Sequence, residues 1–560
     1  MVIKDESNQA RVVSARRSAP PVSGRWVWLA AFGAVATLLL ARSQFLFTTR
    51  LYETADEAAN SILVQQAMHF TLLHGNYSRV GFFHPGPAYL YVMAAGQWLF
   101  HDVMHIVPTP WNGQLIAILL LNSAEVATVA WIVYRWAGSI WAAAVAVALV
   151  IGLAAAVDVN VPAVINRDIL GANWMPDMYV PTFLAFVVAA ASVAAGRTSH
   201  LGVLAATGWL AIHGHAEFLF FVPLIVAAAA AAALWPARHA PWDAVRRFLR
   251  HRRSHYLPAL AISALFALPI VADLILHWPG EFGMYWHFAR SGRAGHHPLG
   301  EVVRYVLWYW APGPLWLGLL VMAAATAAAL TIAVKLASRI TATPPAAGLP
   351  RFILAAVWIC AVTTAGMIFY GVRGLDTINF RYVGFFYWSV PLLTFLVIAA
   401  GLTTALRSVR ATRLVAAGAL LVALGAGLVS PALRADVHDN EPALVPAMAA
   451  VAARAHGRLI VLRTEDVQYD THGLLVQAIR RGLRACVAGS PARIFAVTSE
   501  YICTPRQAAT GVLFWLYPLA ARPVPGTRVI ARLRYSVLAA PSTPPARGLA
   551  RPGGFSPPGQ

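Results

Sequence analysis

Long apolar segments recur along the first three quarters of this 560-residue chain. A helix needs about 20 mostly apolar residues to cross a membrane, and only helices or closed barrels satisfy their backbone hydrogen bonds there. The segments therefore predict a polytopic α-helical membrane protein with about eleven spans. The predicted spans are 26–47, 114–134, 139–157, 179–195, 201–214, 216–235, 257–276, 312–334, 352–370, 384–404 and 414–431.

The composition agrees with a membrane protein and argues against a nucleic-acid partner. Charged residues make up 12% of the chain, whereas a soluble protein has about 25%. The net charge is +20, but many arginines lie in short loops between the predicted spans. Basic residues in such loops orient a membrane protein, with the basic side in the cytoplasm.

The basic loops also predict the topology. With eleven spans, the tail 1–25 and every basic loop fall on one side, which the positive-inside rule makes cytoplasmic. Segment 201–235 could be one tilted span or a short hairpin. A single span would move the cluster Arg238–Arg253 outside, so we expect the hairpin. We therefore expect a protein of the cell inner membrane, with its outer pieces at 48–113, 158–178, 277–311, 371–383 and after about 432.

The chain beyond the last span changes in character, because charged residues return. Residues 432–540 predict a small α/β domain on the outer face, and 541–560, rich in Pro, Gly and Ser, predicts a disordered tail. We expect a helix at 472–485 and strands at 458–463, 493–498, 512–517 and 527–539.

Two cysteines lie in this outer domain, where disulfides persist. Cys486 follows the predicted helix, and Cys503 follows the next predicted strand and turn. If these elements lie side by side, the two thiols can form a bridge. The alternative is two free buried thiols.

The first outer loop, 48–113, carries the most informative polar residues. Its segments 56–73 and 87–101 are amphipathic and short for spans, which is typical of helices that lie in the membrane interface. Asp56 and Glu57 open the first of them. Thr54-x-x-Glu57 matches a capping box, and Asp56 complements the helix dipole. The functional alternative makes one carboxylate a general base, and Asp56 is our choice because capping occupies Glu57.

The same loop continues with His84-Pro85-Gly86-Pro87-Ala88-Tyr89. Two prolines fix φ and hold the backbone rigid. The segment is therefore either a plain turn that leads into a helix, or a turn that positions His84 over a substrate headgroup.

An acidic pair, an interfacial helix and a His-Pro-x-Pro-x-Tyr segment together resemble the GT-C superfamily of integral-membrane glycosyltransferases. The likeness is greatest to the branch of protein mannosyltransferases and the lipid A aminoarabinose transferase, whose segment reads His-Pro-Pro-Leu-Tyr. Here Gly86 interrupts the proline pair. The resemblance implies transfer of a sugar, with inversion, from a polyprenyl-phosphate carrier to a hydroxyl of a lipid, glycan or protein. It also implies that Asp56 is the base.

The sequence has no Asp-x-Asp motif and no Trp-Trp-Asp-Tyr-Gly motif. Their absence leaves open whether the enzyme needs a divalent cation, Mg²⁺ or Mn²⁺, and which class of acceptor it uses.

A transferase of this kind needs cations for the departing phosphate. The outer turn 370–382 places Arg373 and Arg381 outside, against the charge trend, and arginine suits bidentate phosphate binding. We assign the phosphate to this pair. The alternatives are an ion pair with Asp376 or snorkelling toward lipid headgroups.

Further candidates lie in other loops. In 158–178, Asp168 is either part of an ordinary polar loop or a second acid that orients the acceptor. His213 could form a zinc site with His215 and Glu217, but alternate helix positions do not converge, so we expect a His213–Glu217 hydrogen bond. The loop 277–311 could cover the site as a lid. The predicted substrate contacts are His84, Tyr89, Asp168, Asp376 and His213.

Two other classes of function compete with the transferase. A transporter or lipid flippase predicts ionisable residues in mid-span and paired broken helices. Mid-span charges are few, with Glu125 and Asp273 the main ones, and no symmetry between halves is visible. A non-catalytic scaffold leaves the acidic first loop unexplained.

Overall fold

The computed structural model describes residues 23–160, 169–291, 295–338, 348–406, 408–430, 433–464, 469–489, 496–522 and 524–542, without the side chains of 157–160 and Val409. The predicted tails 1–25 and 541–560 lie almost entirely outside these ranges, as does Asp168.

The N-terminal part of the chain is a bundle of helices. Several begin and end where the sequence places helix signals; for example, one starts with Pro110 in its first turn and ends before Gly138, which has φ 65°. The helices are α1 (Gly24–Arg42), α2 (Ala55–Met68), α3 (Ala88–Gly96), α4 (Pro110–Ala137), α5 (Ile140–Asn160), α6 (Met175–Ala194), α7 (Leu201–Gly214), α8 (Phe218–Leu234), α9 (Pro241–His251), α10 (Arg253–Leu276), α11 (Gly280–Arg290), α12 (Leu299–Trp308), α13 (Leu315–Ser338), α14 (Leu349–Arg373), α15 (Ser389–Ala405) and α16 (Val409–Val429).

Among the described residues, nine helices are long and apolar enough to cross a membrane by length and composition. They correspond to nine of the predicted spans. The other two predicted spans are the helices α5 and α7. With 14 residues, α7 rises about 21 Å, which is less than a typical hydrocarbon core. The prediction of a multi-pass helical membrane protein is confirmed.

Segment 201–234 is a helical hairpin, as the charge rule predicted. Helices α7 and α8 are separated by a short break, in which His215 has an extended backbone. The two helices fold back on each other, since a Cβ built on Gly208 would lie 3.2 Å from Cγ1 of Val222. Gly208 and Val222 lie at equal distances in sequence from the break at His215. Their contact therefore shows that α7 and α8 are antiparallel.

Helix α6 forms the centre of the membrane domain. Its most apolar stretch is fully buried, and it packs against α4, α7, α8, α14 and α15. A helix that is apolar all round is typical of the core of a large bundle. The Trp136 indole donates to Ser192 Oγ at 2.7 Å, which satisfies one of the few polar groups in this core.

The C-terminal part is a small α/β domain, as predicted. In the described part of this domain, the sheet has five strands in the order β2-β1-β3-β5-β4, with β1 parallel to β2 and β3, and β5 antiparallel to β3 and β4. The apolar run at the start of β1 is buried on both faces, which suits an interior parallel strand. The elements are α17 (Leu444–Ala455), β1 (Ile460–Thr464), α18 (Tyr469–Arg480), β2 (Ala485–Ala488), α19 (Pro505–Thr510), β3 (Val512–Pro518), β4 (Thr527–Arg532) and β5 (Ser536–Pro541).

Two details of this domain differ from the prediction. Residues 527–539 form a hairpin of β4 and β5 rather than one strand, because the chain turns where Leu533 N–H donates to Ser536 O at 2.8 Å. The strand β2 was not predicted. The predicted strand 493–498 lies mostly outside the described residues, and 496–498 are not in a strand.

The C-terminal domain covers the start of the first loop. Ala58 and Ile62 of α2 belong to the hydrophobic core of that domain. The buried Glu53 carboxylate pairs with Arg480, whose Nη1 lies 3.0 Å from Oε2. Helix α2 is therefore partly covered by the C-terminal domain, and its position relative to the membrane interface stays a prediction.

Cys486 and Cys503 form a disulfide, with their Cα atoms 5.0 Å apart. Cys486 lies in β2, and Cys503 N–H donates to Val487 O at 2.9 Å, so the segment of Cys503 runs beside β2. This is the pair for which the sequence analysis predicts a bridge.

Candidate active site

An open cavity of about 160 Å³ lies where the first loop meets the membrane domain. Its wall comes from the first turn of α2, the loop segment 76–84, the N-terminus of α6, the turn between α7 and α8, the end of α11 and the turn after α14. Of the predicted site residues, the cavity is lined by Asp56, His84 and Asp376.

Asp56 lies in the first turn of α2, with its carboxylate half-buried in the cavity wall. The Tyr77 hydroxyl donates to Oδ1, and Trp174 Nε1 donates to Oδ2 at 3.1 Å. The preceding Ala55 has φ 51°, a left-handed conformation that is strained in a residue with a Cβ. Carboxylate oxygens have several acceptor sites, so each can accept a further hydrogen bond. Asp56 is thus an oriented acceptor beside open space.

Glu57 does not share this position. Its side chain is buried, and Oε2 has no hydrogen-bond partner among the described residues. Burial raises the pKa of Glu57 well above its usual range, and Asp439 and Asp56 raise it further. The predicted capping box is wrong, because the Thr54 hydroxyl donates to Tyr469 O at 2.8 Å and makes no cap. Glu57 does not line the cavity, so of the acidic pair only Asp56 is placed to contact a ligand there.

Two more carboxylates lie close to α2. His438 contacts both, with Nδ1 2.8 Å from Asp436 Oδ2 and Nε2 3.2 Å from Asp439 Oδ1. Burial raises the pKa of Asp439 to about 6, against the opposing effect of His438. Over the described ranges, no group of three or more His, Cys, Asp or Glu side chains is arranged to hold a metal ion.

Arg79 is a cavity residue that the sequence analysis did not identify. Its Nη2 lies 2.5 Å from Asp376 Oδ1, and its guanidinium stacks 4.8 Å from the centre of the Phe380 ring. Both charged side chains are partly exposed and line the cavity. The cavity is therefore lined by the Arg79 cation as well as by Asp56.

Arg373 and Arg381 do not line the cavity. Arg373 is exposed, at the end of α14. Arg381 stacks on Trp308 at 4.5 Å, and its Nη1 lies 3.5 Å from Tyr305 O. Cation–π contacts with the rings of Tyr305 and Trp308 hold the Arg381 side chain outside the cavity. Neither of the two predicted phosphate contacts therefore lines the cavity, whereas Arg79 does.

The segment that places Arg79 is a tight hairpin between α2 and α3. Gly75 N–H donates to His84 O, and His84 N–H donates to Asn76 O, each at 2.8 Å. The tip turns at Gly81, whose φ of 96° favours glycine. This hairpin brings Tyr77 and Arg79 over the cavity and ends at His84.

His84 and His215 lie side by side in the cavity wall, with ring centres 4.1 Å apart. Burial lowers the pKa of His84 well below its usual range, and the neighbouring His215 lowers it further. Burial, and to a smaller extent Arg79, lowers the pKa of His215 to about 3. Both imidazoles are therefore neutral at physiological pH.

His213 lies behind the cavity and explains the glycine in the His-Pro-x-Pro segment. A Cβ on Gly86 would lie 2.3 Å from His213 Nδ1, so only glycine fits against this ring. His213 Nδ1 accepts from Ala88 N–H at 3.2 Å. The predicted His213–Glu217 hydrogen bond is wrong. The ring next to Glu217 is that of His215, whose Nδ1 accepts from the Glu217 backbone N–H and lies 3.4 Å from Oε1. The reason is that His213 still belongs to α7, whereas His215 lies in the turn.

Tyr89 is also buried away from the cavity. Its hydroxyl is 2.7 Å from Thr182 Oγ1 in the core of the membrane domain. Tyr89 and His213 thus hold the first loop on the bundle, and neither is placed to contact a ligand in the cavity.

Helix α11 packs against the hairpin on its other side. Glu281 Oε2 accepts from Phe83 N–H at 2.7 Å, and the Tyr285 hydroxyl donates to Phe83 O at 2.6 Å. Phe288 reaches the cavity, with its ring centre 5.8 Å from that of Phe82. Part of the loop 277–311 therefore covers the site, whereas its movement as a lid stays a prediction.

No protein-family model matches the sequence, and a search of curated proteins finds no match. A search of solved structures does. The crystal structure of ArnT from Cupriavidus metallidurans in the apo state aligns over 92% of this chain and 98% of that chain, with a TM-score of 0.52 and 15% sequence identity. ArnT is a lipid A aminoarabinose transferase and a GT-C glycosyltransferase. The chain has an ArnT-like fold.

A second GT-C structure gives a weaker alignment. The archaeal oligosaccharyltransferase AglB from Archaeoglobus fulgidus, in complex with an inhibitory peptide and a dolichol-phosphate, covers 77% of this chain and 58% of its own, with a TM-score of 0.30 and 14% identity. That similarity is too low to support further argument. The resemblance to GT-C proteins is confirmed by the ArnT alignment, at the level of the fold.

Within this fold, the predicted site residues separate into three groups. Asp56, His84 and Asp376 line the cavity, as stated above. The second group does not line the cavity and consists of Glu57, Tyr89, His213, Arg373 and Arg381. Asp168 lies outside the described residues. Arg79 and His215 join the site. A signal for Arg79 was present, because it and Arg50 are the basic residues of the outer loop 48–113.

Proposed function

We propose that this protein is a membrane glycosyltransferase that moves a sugar from a polyprenyl-phosphate donor to an acceptor hydroxyl of a lipid, glycan or protein. The observation that carries the proposal is that Asp56 and Arg79 line one cavity. An oriented carboxylate and a cation in one wall are the two groups that transfer from a phosphate carrier requires. The GT-C fold shared with ArnT supports glycosyl transfer in general.

The chemistry follows from the positions of these two residues. Asp56 accepts the proton of the acceptor hydroxyl while its oxygen attacks the anomeric carbon of the sugar. The bond from that carbon to the phosphate oxygen breaks, and its electron pair leaves with the polyprenyl phosphate. Arg79 stabilises the negative charge that develops on this leaving group. Attack from the face opposite the phosphate inverts the anomeric centre.

Asp376 holds Arg79 in place before the donor binds. A guanidinium has five N–H donors, so Arg79 can keep this contact and still bind phosphate oxygens. The rings of Phe82 and Phe288 flank the cavity and offer an apolar surface for the first isoprene units of the donor. The cavity thus combines the polar and apolar contacts that a prenyl phosphate needs.

We propose that the cavity opens outside the cytoplasm, in the inner membrane, with the N-terminus inside. The distribution of basic loops supports this orientation. The C-terminal domain contacts α2 on the side of the cavity, and its Cys486–Cys503 disulfide suits an oxidising compartment.

The proposal is tested with the purified protein in lipid nanodiscs and a panel of polyprenyl-phosphate sugars. Transfer predicts release of free polyprenyl phosphate in equal amount to the glycosylated acceptor. The rival transporter or flippase predicts movement of the intact donor across sealed vesicles, without cleavage of the sugar–phosphate bond. Intact donor throughout, with or without movement, would refute the transferase.

A further inference from the structure

His84 and His215 are held by two consecutive backbone amides. Ala216 N–H donates to His84 Nδ1, and Glu217 N–H donates to His215 Nδ1, each at 3.3 Å. A neutral imidazole has one N–H and one acceptor nitrogen. Because Nδ1 is the acceptor in both rings, Nε2 carries the proton in both. The turn between α7 and α8 thus sets the same tautomer in two neighbouring rings.

The two Nε2–H groups are available to a ligand. Both rings line the cavity, and no residue in the described part of the chain makes a hydrogen bond to either Nε2. Arg79 lies close enough to His215 to affect its charge. The cavity therefore offers two fixed N–H donors and a guanidinium in its lining.

The hydrogen-bond donors on this surface indicate which kind of ligand it can bind. Each imidazole presents one donor and has no free acceptor, because its Nδ1 is already bonded. Phosphate oxygens accept hydrogen bonds only, so they match such a surface fully. A sugar hydroxyl also has an O–H donor, and that donor would find no acceptor on these two rings. Near Arg79, an anion is also favoured electrostatically.

We infer that His84 and His215 form a paired N–H donor that binds the phosphate of the donor lipid beside Arg79. This inference rests on the proposed function and names the residues that recognise the phosphate. The two histidines position the leaving group, while Asp56 takes the acceptor proton. The strength of phosphate binding then depends on Nε2 of each ring, and not on Nδ1.

The experiment separates the two ring nitrogens. An asparagine amide replaces Nδ1 of histidine, and a glutamine amide reaches the position of Nε2. Binding of farnesyl phosphate, and of farnesol as the uncharged probe, is measured by calorimetry on the full-length protein. We expect His84→Asn and His215→Asn each to weaken farnesyl phosphate binding about tenfold, the loss of one hydrogen bond to a charged group. His84→Gln and His215→Gln retain most of the affinity, and farnesol binding does not change.

The control is His287→Asn, on the exposed face of α11, which should bind farnesyl phosphate like the wild type. If both asparagine variants bind it normally while Arg79→Gln is weakened, the paired donor is refuted and the proposed function stands. If the wild type binds farnesyl phosphate no more tightly than farnesol, both the inference and the proposed donor class are refuted.

Discussion

The Tyr77 hydroxyl donates a hydrogen bond to Asp56 Oδ1, across 21 positions of the first loop. This bond connects the hairpin between α2 and α3 to the first turn of α2. The indole N–H of Trp174 donates to Oδ2, the other oxygen of the same carboxylate. The base is therefore oriented by residues from two separate parts of the chain, and its orientation can be changed without removing the carboxylate.

We expect Tyr77→Phe to lower kcat about tenfold and to leave the KM of the donor nearly unchanged. The reason is that one orienting hydrogen bond to a carboxylate is lost, worth about 1.5 kcal/mol. Steady-state kinetics measure both constants. Tyr91→Phe is the matched control, because that hydroxyl bonds Leu72 O in the same loop away from the cavity. Equal kcat for the Tyr77 variant and the wild type would show that this bond does not orient the base.

Arg79→Gln should raise the KM of the donor by at least about tenfold, because a charge-assisted contact to phosphate is worth about 1.5–3 kcal/mol. Arg373→Gln should behave like the wild type, since Arg373 is exposed outside the cavity. Donor titrations of the two variants decide between the arginines. If Arg373→Gln raised the KM of the donor and Arg79→Gln did not, the phosphate would be assigned to the turn 370–382 instead.

The ion pair of Glu53 and Arg480 should stabilise the contact between the two domains. Both side chains are largely buried, so Arg480→Met leaves an unpaired carboxylate and should cost about 3–5 kcal/mol. The melting temperature and the rate of proteolysis after the last span report the loss. Arg481→Met is the control on the exposed neighbour, and adding Glu53→Gln to Arg480→Met should recover part of the stability. A melting temperature equal to that of the wild type would mean that the domains do not depend on this pair.

The Asp439 carboxyl should make stability fall as pH rises from about 4 to about 6. Burial raises its pKa to about 6 in the folded protein, so the folded state binds the proton more tightly than the unfolded chain. The unfolding free energy therefore decreases through this interval, by at most about 3 kcal/mol. His438, whose pKa is also raised, acts in the same direction at higher pH. Asp439→Asn should flatten the melting-temperature profile below pH 6, and an unchanged slope would contradict the assignment.

The parts of the structure that depend on local sequence could be predicted. The apolar segments locate the spans, the charge rule resolves the hairpin 201–234, and the acidic residue Asp56 follows from its place in the first loop. The mixed sheet was partly predicted, because buried apolar runs indicate strands, whereas the break between β4 and β5 depends on a turn without Gly or Pro.

The rest depends on contacts between distant residues. Arg79 reaches Asp376, 297 positions away, and nothing near Arg79 in the sequence indicates that partner. The Thr54 hydroxyl is taken by Tyr469, 415 positions away, so the local capping rule fails there. His215 joins the site because the break after α7 turns its ring toward His84, which helical periodicity does not reveal.

The most direct test of the account is single-turnover sugar transfer by Asp56→Asn. The amide of asparagine can accept from Trp174 with its oxygen and donate to the Tyr77 hydroxyl with its NH₂ group. It cannot take the acceptor proton, so transfer should slow by about 10²- to 10⁴-fold at an unchanged melting temperature. Glu57→Gln and the exposed Asp102→Asn should keep most of the activity. Near-normal transfer by Asp56→Asn together with an inactive Glu57→Gln would contradict the account, and full activity of all three variants would remove the carboxylate base from the mechanism.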